Sequence, residues 1–234
     1  MSRRRYGVIT LAATIVLSTW FALGAASQAT ASGVGPAHNV AIARGISNVQ
    51  WYFSRTTCQH APAGSTCEKA ILGALNHARA TLGQRRYVLP SGFRSMTAGQ
   101  QLLALVNDDR ALYRLPRVQS LSNRLNIGAT RGARLNIDPL PVGHGWTTVA
   151  SNWAGGMASP LFAYYGWMYG DGLNRDGTSN NIDCTVAHHS GCWSHRDNIL
   201  RNYGRHTKLL LGVGHAKTVT GASWTQLFQA YPRS

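Results

Sequence analysis

Residues 184–214 read CTVAHHSGCWSHRDNILRNYGRHTKLLLGVG. Cys184 and Cys192 bracket a short loop, and Trp193 follows at once. A polar cluster, His195-Arg196-Asp197-Asn198, then gives way to the apolar run Leu209–Leu211 and to Gly212-Val213-Gly214. A covalently closed loop that hands over to regular structure holds side chains in fixed places. His195 and its neighbours are therefore the first candidates for a site.

Working outward, composition bounds the rest. The chain has 234 residues, 44% hydrophobic and 13% charged, enough for one globular domain with a substantial core. Its first 31 residues pair a basic Arg3-Arg4-Arg5 with a largely apolar Val8–Leu23 and a small-x-small Ala29-Thr30-Ala31. That is the pattern of an export signal, through either the general or the twin-arginine route. Residues 32–64 read as a flexible lead-in, 65–94 as an N-terminal helical extension and 95–234 as the main domain.

Formal charge is +15, and without Arg3, Arg4 and Arg5 it is +12, with 20 Lys and Arg against 8 Asp and Glu. This balance favours anionic partners such as cell-wall polymers or membrane-surface headgroups. Nucleic acid is disfavoured, because no nucleic-acid-binding motif accompanies the charge.

Four cysteines fall in two close pairs, Cys58/Cys67 and Cys184/Cys192. In an exported chain they read as disulfides, with local pairing chosen from three connectivities. A zinc site built from all four is the competing reading, though neither pair has the spacing of a zinc knuckle.

Along the chain, Ser65-Thr66-Cys67-Glu68 is a capping box opening a helix with Ile71, Leu75, Ala78 and Leu82 on one stripe. His77 and Arg79 fall off that stripe. Thr97-Ala98-Gly99-Gln100 opens a second helix, whose core face is Leu102, Leu105, Val106, Leu112 and Tyr113. Asn107-Asp108-Asp109-Arg110 forms its polar side, read as solvated with local acid–base pairing.

Ser120 caps a third helix over 120–134, with Arg124, Arg131 and Arg134 as a basic stripe. Trp146–Ala154 suits a strand. Ser159-Pro160 opens a helix with Leu161, Tyr164, Tyr165 and Met168 inward. Asp171–Asp183 matches a calcium loop poorly and reads as a polar loop. Lys208–Ala216 and Ser223–Ala230 read as strands, without clean alternation in the second. Helices early and strands late give an α+β fold.

The piece GCWSHRDNIL (191–200), followed by GVG (212–214) and WTQLF (224–228), resembles the C-terminal signature of the CAP superfamily, the SCP-like domains, especially secreted bacterial ones. QLLALVNDDRALYRL (101–115) resembles the family's first helix and 120–133 its second. SNWAGG (151–156) stands where the family has Gly-Glu-Asn-Ile. The resemblance covers roughly residues 97–230. It implies a three-layer α-β-α sandwich with a central antiparallel sheet and a large surface cleft. It also implies a ligand cleft at Ser151, Asn152, Trp153 and Asp197.

Family clefts carry two histidines and two glutamates, sometimes with a divalent metal. Residue by residue, these fall on His195, His144, Ser151 and a position on or near Asp171. The chain's single Glu is Glu68, outside the matched region, so the tetrad is incomplete. His195, His144 and Asp171 remain the catalytic candidates, and His144 with His195 the candidate ligands for a zinc ion; no cofactor is required. No GxSxG or HExxH stands in the chain. The expectation is a secreted or envelope-associated, non-catalytic binding module for envelope components or a small ligand. The alternative is a metal-assisted hydrolase acting on peptide or wall polymer.

Overall fold

A computed structural model describes residues 66–173, 178–179, 181, 183–186, 189, 191–219 and 221–233. The expected export signal (1–31) and lead-in (32–64), Ser65 of the first capping box, Cys58 and most of the interior of the polar loop lie outside the described residues.

Helix α1 (Thr66–Thr81) ends before Gly83, whose φ of 66° takes the chain out of the helix. Helix α2 (Ala98–Leu112) opens on the expected box: Thr97 accepts from the Gln100 N–H, and the Gln100 side chain accepts from the Thr97 N–H. Helix α3 is Asn123–Leu135, α4 is Pro160–Tyr169 and α5 is Ser194–Leu200. The strands are β1 (Ser120–Leu121), β2 (Thr148–Gly155), β3 (Thr207–Thr218) and β4 (Gly221–Pro232), in sheet order β1-β3-β4-β2.

The sheet is mixed. β2 and β3 both run antiparallel to β4, but β1 is parallel to β3, which corrects the all-antiparallel expectation. Ser120 is consequently a strand residue rather than a helix cap. The Gln119 and Ser122 N–H groups, flanking β1, donate to the Leu209 and Leu211 carbonyls, and Ser122 caps α3 by accepting from the Leu125 N–H. A short segment crossing between two helices pairs with whatever edge it meets, in the direction it already runs.

Helices cover both faces of this sheet. On one face α3 packs through Leu125 and Ala129 onto Leu227. Gly212 and Gly214 make that contact possible: a Cβ on Gly214 would stand 2.2 Å from the Ala129 carbonyl carbon, so the backbones meet directly. On the other face Leu209, Leu211, Trp224, Phe228 and Ala230 join α1, α2, α4 and α5 in one core. β4 lies between β2 and β3 and is buried on both faces, which is why Trp224, Leu227 and Phe228 do not alternate.

Two helices bury more of their surface than their own periodicity indicates. Helix α4 was expected to bury four residues; Leu161–Tyr165 and Trp167–Tyr169 are all at most 2% exposed. Helix α1 covers the outer side of α4 and brings Ile71, Ala74, Leu75 and Ala78 into the common core. The polar side of α2 is likewise enclosed: Asn107, Asp109 and Arg110 are buried, as is Arg79 of α1.

The reason is pairing across helices. Arg79 bridges Asp109 and Asp108, each at 2.6 Å, and Arg85 reaches Asp108 at 2.8 Å. The Tyr87 and Tyr164 hydroxyls both donate to Asp109, at 2.6 and 2.5 Å. Burial opposes the Arg79 charge, but the surrounding Tyr87, Asp109 and Tyr169 outweigh it and hold the pKa above its ordinary value. Arg110 is held differently, donating to the Pro116, Ile199 and Arg201 carbonyls. Among the described residues no carboxylate pairs with it, and burial pushes its pKa down to about 10, so it stays charged at neutral pH. A buried cation at the C-terminal end of α5 fits the helix dipole.

Candidate functional site

The site is built where α5 begins. Asp171, just past the end of α4 and 1% exposed, takes the place of a cap for α5: Oδ2 accepts from the backbone N–H groups of His195 (2.9 Å) and Arg196 (3.2 Å). Trp193, the residue before α5, adopts φ 67° and makes no side-chain capping bond, so the capping role passes to a carboxylate from another segment. Asp171 Oδ1 accepts from Asn181 Nδ2 at 2.7 Å and lies 2.7 Å from His195 Nδ1.

A carboxylate on Nδ1 fixes the tautomer that carries its proton there and leaves Nε2 as the ring atom able to meet a ligand. The Cys184–Cys192 disulfide closes the loop that delivers Trp193 and His195 to this position. Cys67 is also disulfide-bonded.

Helix α5 is bolted to β2. The fully buried Asn152 donates to the His195 carbonyl at 3.1 Å and accepts from Asn198 Nδ2 at 3.0 Å. Asn198 also donates to the Ser151 carbonyl at 2.8 Å, and Trp167 Nε1 donates to the Trp153 carbonyl. The Trp153 ring turns to the other side of the strand, where Nε1 donates to Ser223 Oγ.

Two further carboxylates act on His195. Asp138 lies in the loop after α3, near the Trp153 backbone, and Asp183 stands just ahead of the disulfide loop. Burial alone would lower the His195 pKa; the hydrogen bond to Asp171 and the charges of Asp171, Asp138 and Asp183 reverse this and raise it. Asp138 has its own carboxyl pushed up, by desolvation first and then by Asp183 and Asp171, with His195 opposing. The crowding is local, since Asp138 as a residue remains exposed.

Of the sequence-derived candidates, His195, Asp171, Asn152 and the backbones of Ser151 and Trp153 converge here. Asp197 lies on α5, its N–H bonded to the Trp193 carbonyl. His144 stands in an exposed turn between Gly143 and Gly145, both at positive φ. Among the described residues no group of three or more His, Cys, Asp or Glu is arranged to hold a metal ion. Sequence reasoning passed over Asp138, Asn181 and Asn198 as site residues. The signal available for Asp138 was scarcity: in a chain with eight acids, each one needs a reason.

No known family model matches the sequence, and no curated protein does. A solved structure to which the chain is similar is an extracellular protein containing an SCP domain from Bacillus anthracis str. Ames, at 19% identity and a TM-score of 0.33. The match covers 56% of this chain and 40% of that one, so the chain spans less than half the length of that protein. Among the described residues no helix is long and apolar enough to cross a membrane.

Proposed function

We propose that the chain is an exported, CAP-like binding module of the cell envelope whose cleft, at His195, takes a ligand bearing an ammonium group. The sequence resemblance across residues 97–230 supports the family's three-layer α-β-α arrangement, as do the helices on both faces of the sheet. The observation that carries the ligand class is the contact of the buried Asp171 with His195 Nδ1 at 2.7 Å, with Asp138 and Asp183 adding their negative charge to the same imidazole. Asp171 touches the ring, and the exposed Asp138 and Asp183 stand near enough to act on it, in a chain of net charge +15. Such an acidic mouth in a basic protein focuses attraction on cations.

Binding is favoured over catalysis because Asp171 is spent on the α5 backbone, Asn181 and His195. Among the described residues no hydroxyl or thiol is hydrogen-bonded to the His195 ring. The second reading is hydrolysis by paired acid and base. It draws on Asp138, a carboxyl with a raised pKa beside an imidazole, as acid–base pairs require.

A titration of the His195 ring resonances separates the two. A short peptide with a free lysine ε-amine should bind at least about threefold more tightly than its acetylated counterpart, and Asp138→Asn should erase the preference. Equal binding of the two peptides would sink the ammonium reading. Cleaved products that vanish with His195→Ala would establish the hydrolase instead.

A further inference from the structure

We propose that α3 and the loop after it form a docking face for an anionic phospholipid bilayer. This face is separate from the His195 cleft and does not rest on the reading given for it.

The described residues expose seven large hydrophobic side chains, and four of them lie here: Ile127 (73% exposed), Leu135 (57%), Ile137 (45%) and Leu140 (72%). Single exposed apolar residues need no explanation, but a cluster does. These four are not core residues left half covered. Helix α3 already packs Leu125 and Ala129 against the sheet and buries Ala133, and Ile127 and Leu135 point away from that contact. Together with Val142 and Arg131 the four line a concavity of about 330 Å³.

Charge surrounds the same concavity. Arg131 lines it directly. The Arg124 guanidinium lies over Gly143 at the rim, so closely that a Cβ there would stand 1.9 Å from Arg124 Nη2. Arg134 is exposed in the last turn of α3. Among the described residues none of these three arginines takes part in an ion pair. Asp138, the acid nearest in sequence, faces Trp153 and His195 instead and leaves their charge unanswered.

Exposed aliphatics flanked by arginines on one helical face are what an interfacial surface needs. The aliphatic groups enter the acyl boundary while the guanidinium groups meet phosphate. An anionic wall polymer would satisfy the arginines and leave the four aliphatics in water. A second copy of the chain would bring three arginines against three arginines. The bilayer answers both features at once.

The test uses the full chain with its disulfides intact. Ile127→Cys is labelled with a polarity-sensitive fluorophore, and Val88→Cys, 69% exposed on the segment after α1, is the control. A local probe is needed because the apolar stretch Val8–Leu23 can itself hold the chain on vesicles. With phosphatidylglycerol-containing vesicles the Ile127 label should shift to the blue and brighten, while the Val88 label stays solvent-like. Phosphatidylcholine vesicles should give no shift. Replacing Arg124, Arg131 and Arg134 with Gln should weaken the Ile127 response by at least about tenfold while leaving the melting temperature unchanged. The proposal falls if the Ile127 label stays solvent-like on vesicle-bound protein, or shifts equally on neutral vesicles. It falls too if the label shifts with protein concentration alone, which would mark a dimer interface, or with soluble anionic wall polymer but not vesicles.

Discussion

Two acid–base centres in this molecule have nearly identical contact distances and opposite characters. Arg79 meets Asp109 at 2.6 Å beneath α1 and α2, and His195 meets Asp171 at 2.7 Å at the start of α5. The first is sealed: both residues are 0% exposed, and Tyr87 and Tyr164 occupy the remaining Asp109 oxygen. The second has an open side, with the His195 side chain 14% exposed and two further carboxylates, Asp138 and Asp183, close enough to act on it. A charge pair with all its acceptors answered by protein donors locks elements together. A pair left with surplus charge and a partly exposed imidazole has capacity for a ligand.

That distinction is broken most severely at the sealed centre. Arg79→Met leaves the Asp109 carboxylate buried against two tyrosines with no cation, which is expected to cost about 3–5 kcal/mol. Chemical denaturation of the oxidised protein measures it directly. A loss below about 1 kcal/mol would mean that water reaches Asp109 and that the centre is not sealed.

The sealed centre was also the less legible one. Asn107–Arg110 on α2 looks like a solvated helix face, and Arg79 falls off the apolar stripe of α1, because the pattern within one helix does not register what a second helix supplies. Arg79 and Asp109 are thirty residues apart, and nothing local to either announces the other. The β1–β3 pairing was hidden for the same reason, since a two-residue strand carries no periodicity. What could be read was local chemistry: the Thr97 box, the Ser159-Pro160 start of α4, the Cys184–Cys192 bridge and His195 behind it. Asp171 was legible only through the family resemblance, and Asp138 was missed because its role depends on a fold that carries the loop after α3 to the edge of β2.

The open centre should show its character in pH dependence. His195 has a folded pKa raised above its unfolded value of about 6.5, chiefly through Asp171 once the opposing burial is overcome. Its charged form therefore contributes stability that is fully present below about pH 6.5 and is lost as pH rises through the folded value. His195→Gln carries no charge at any pH. It should cost about 1–3 kcal/mol at pH 5, in the range of a hydrogen bond to a charged group, and much less at pH 9. Melting curves of the two proteins across that interval test it. A cost independent of pH would make His195 a neutral packing residue and remove the contrast with Arg79.

The smallest effect sharpens the comparison furthest, because it has the opposite sign. Asp138 also has a raised pKa, but for a carboxyl that means the charged form is disfavoured in the fold. Below its unfolded value of about 3.9 the group is neutral in both states and costs nothing; above its folded value the carboxylate opposes folding. Asp138→Asn keeps the side chain's size and polarity and removes that opposition. The variant should gain stability at pH 7, by less than about 1 kcal/mol because solvent screens an exposed carboxylate, and should gain none at pH 3. In the same variant the His195 ring should titrate at lower pH, having lost one of its three acidic neighbours. A stabilised protein with a weakened imidazole would mean that the chain retains at Asp138 a charge its folding does not need, and the benefit of that charge must then fall to whatever meets His195. A destabilised variant would make Asp138 a strut like Asp109.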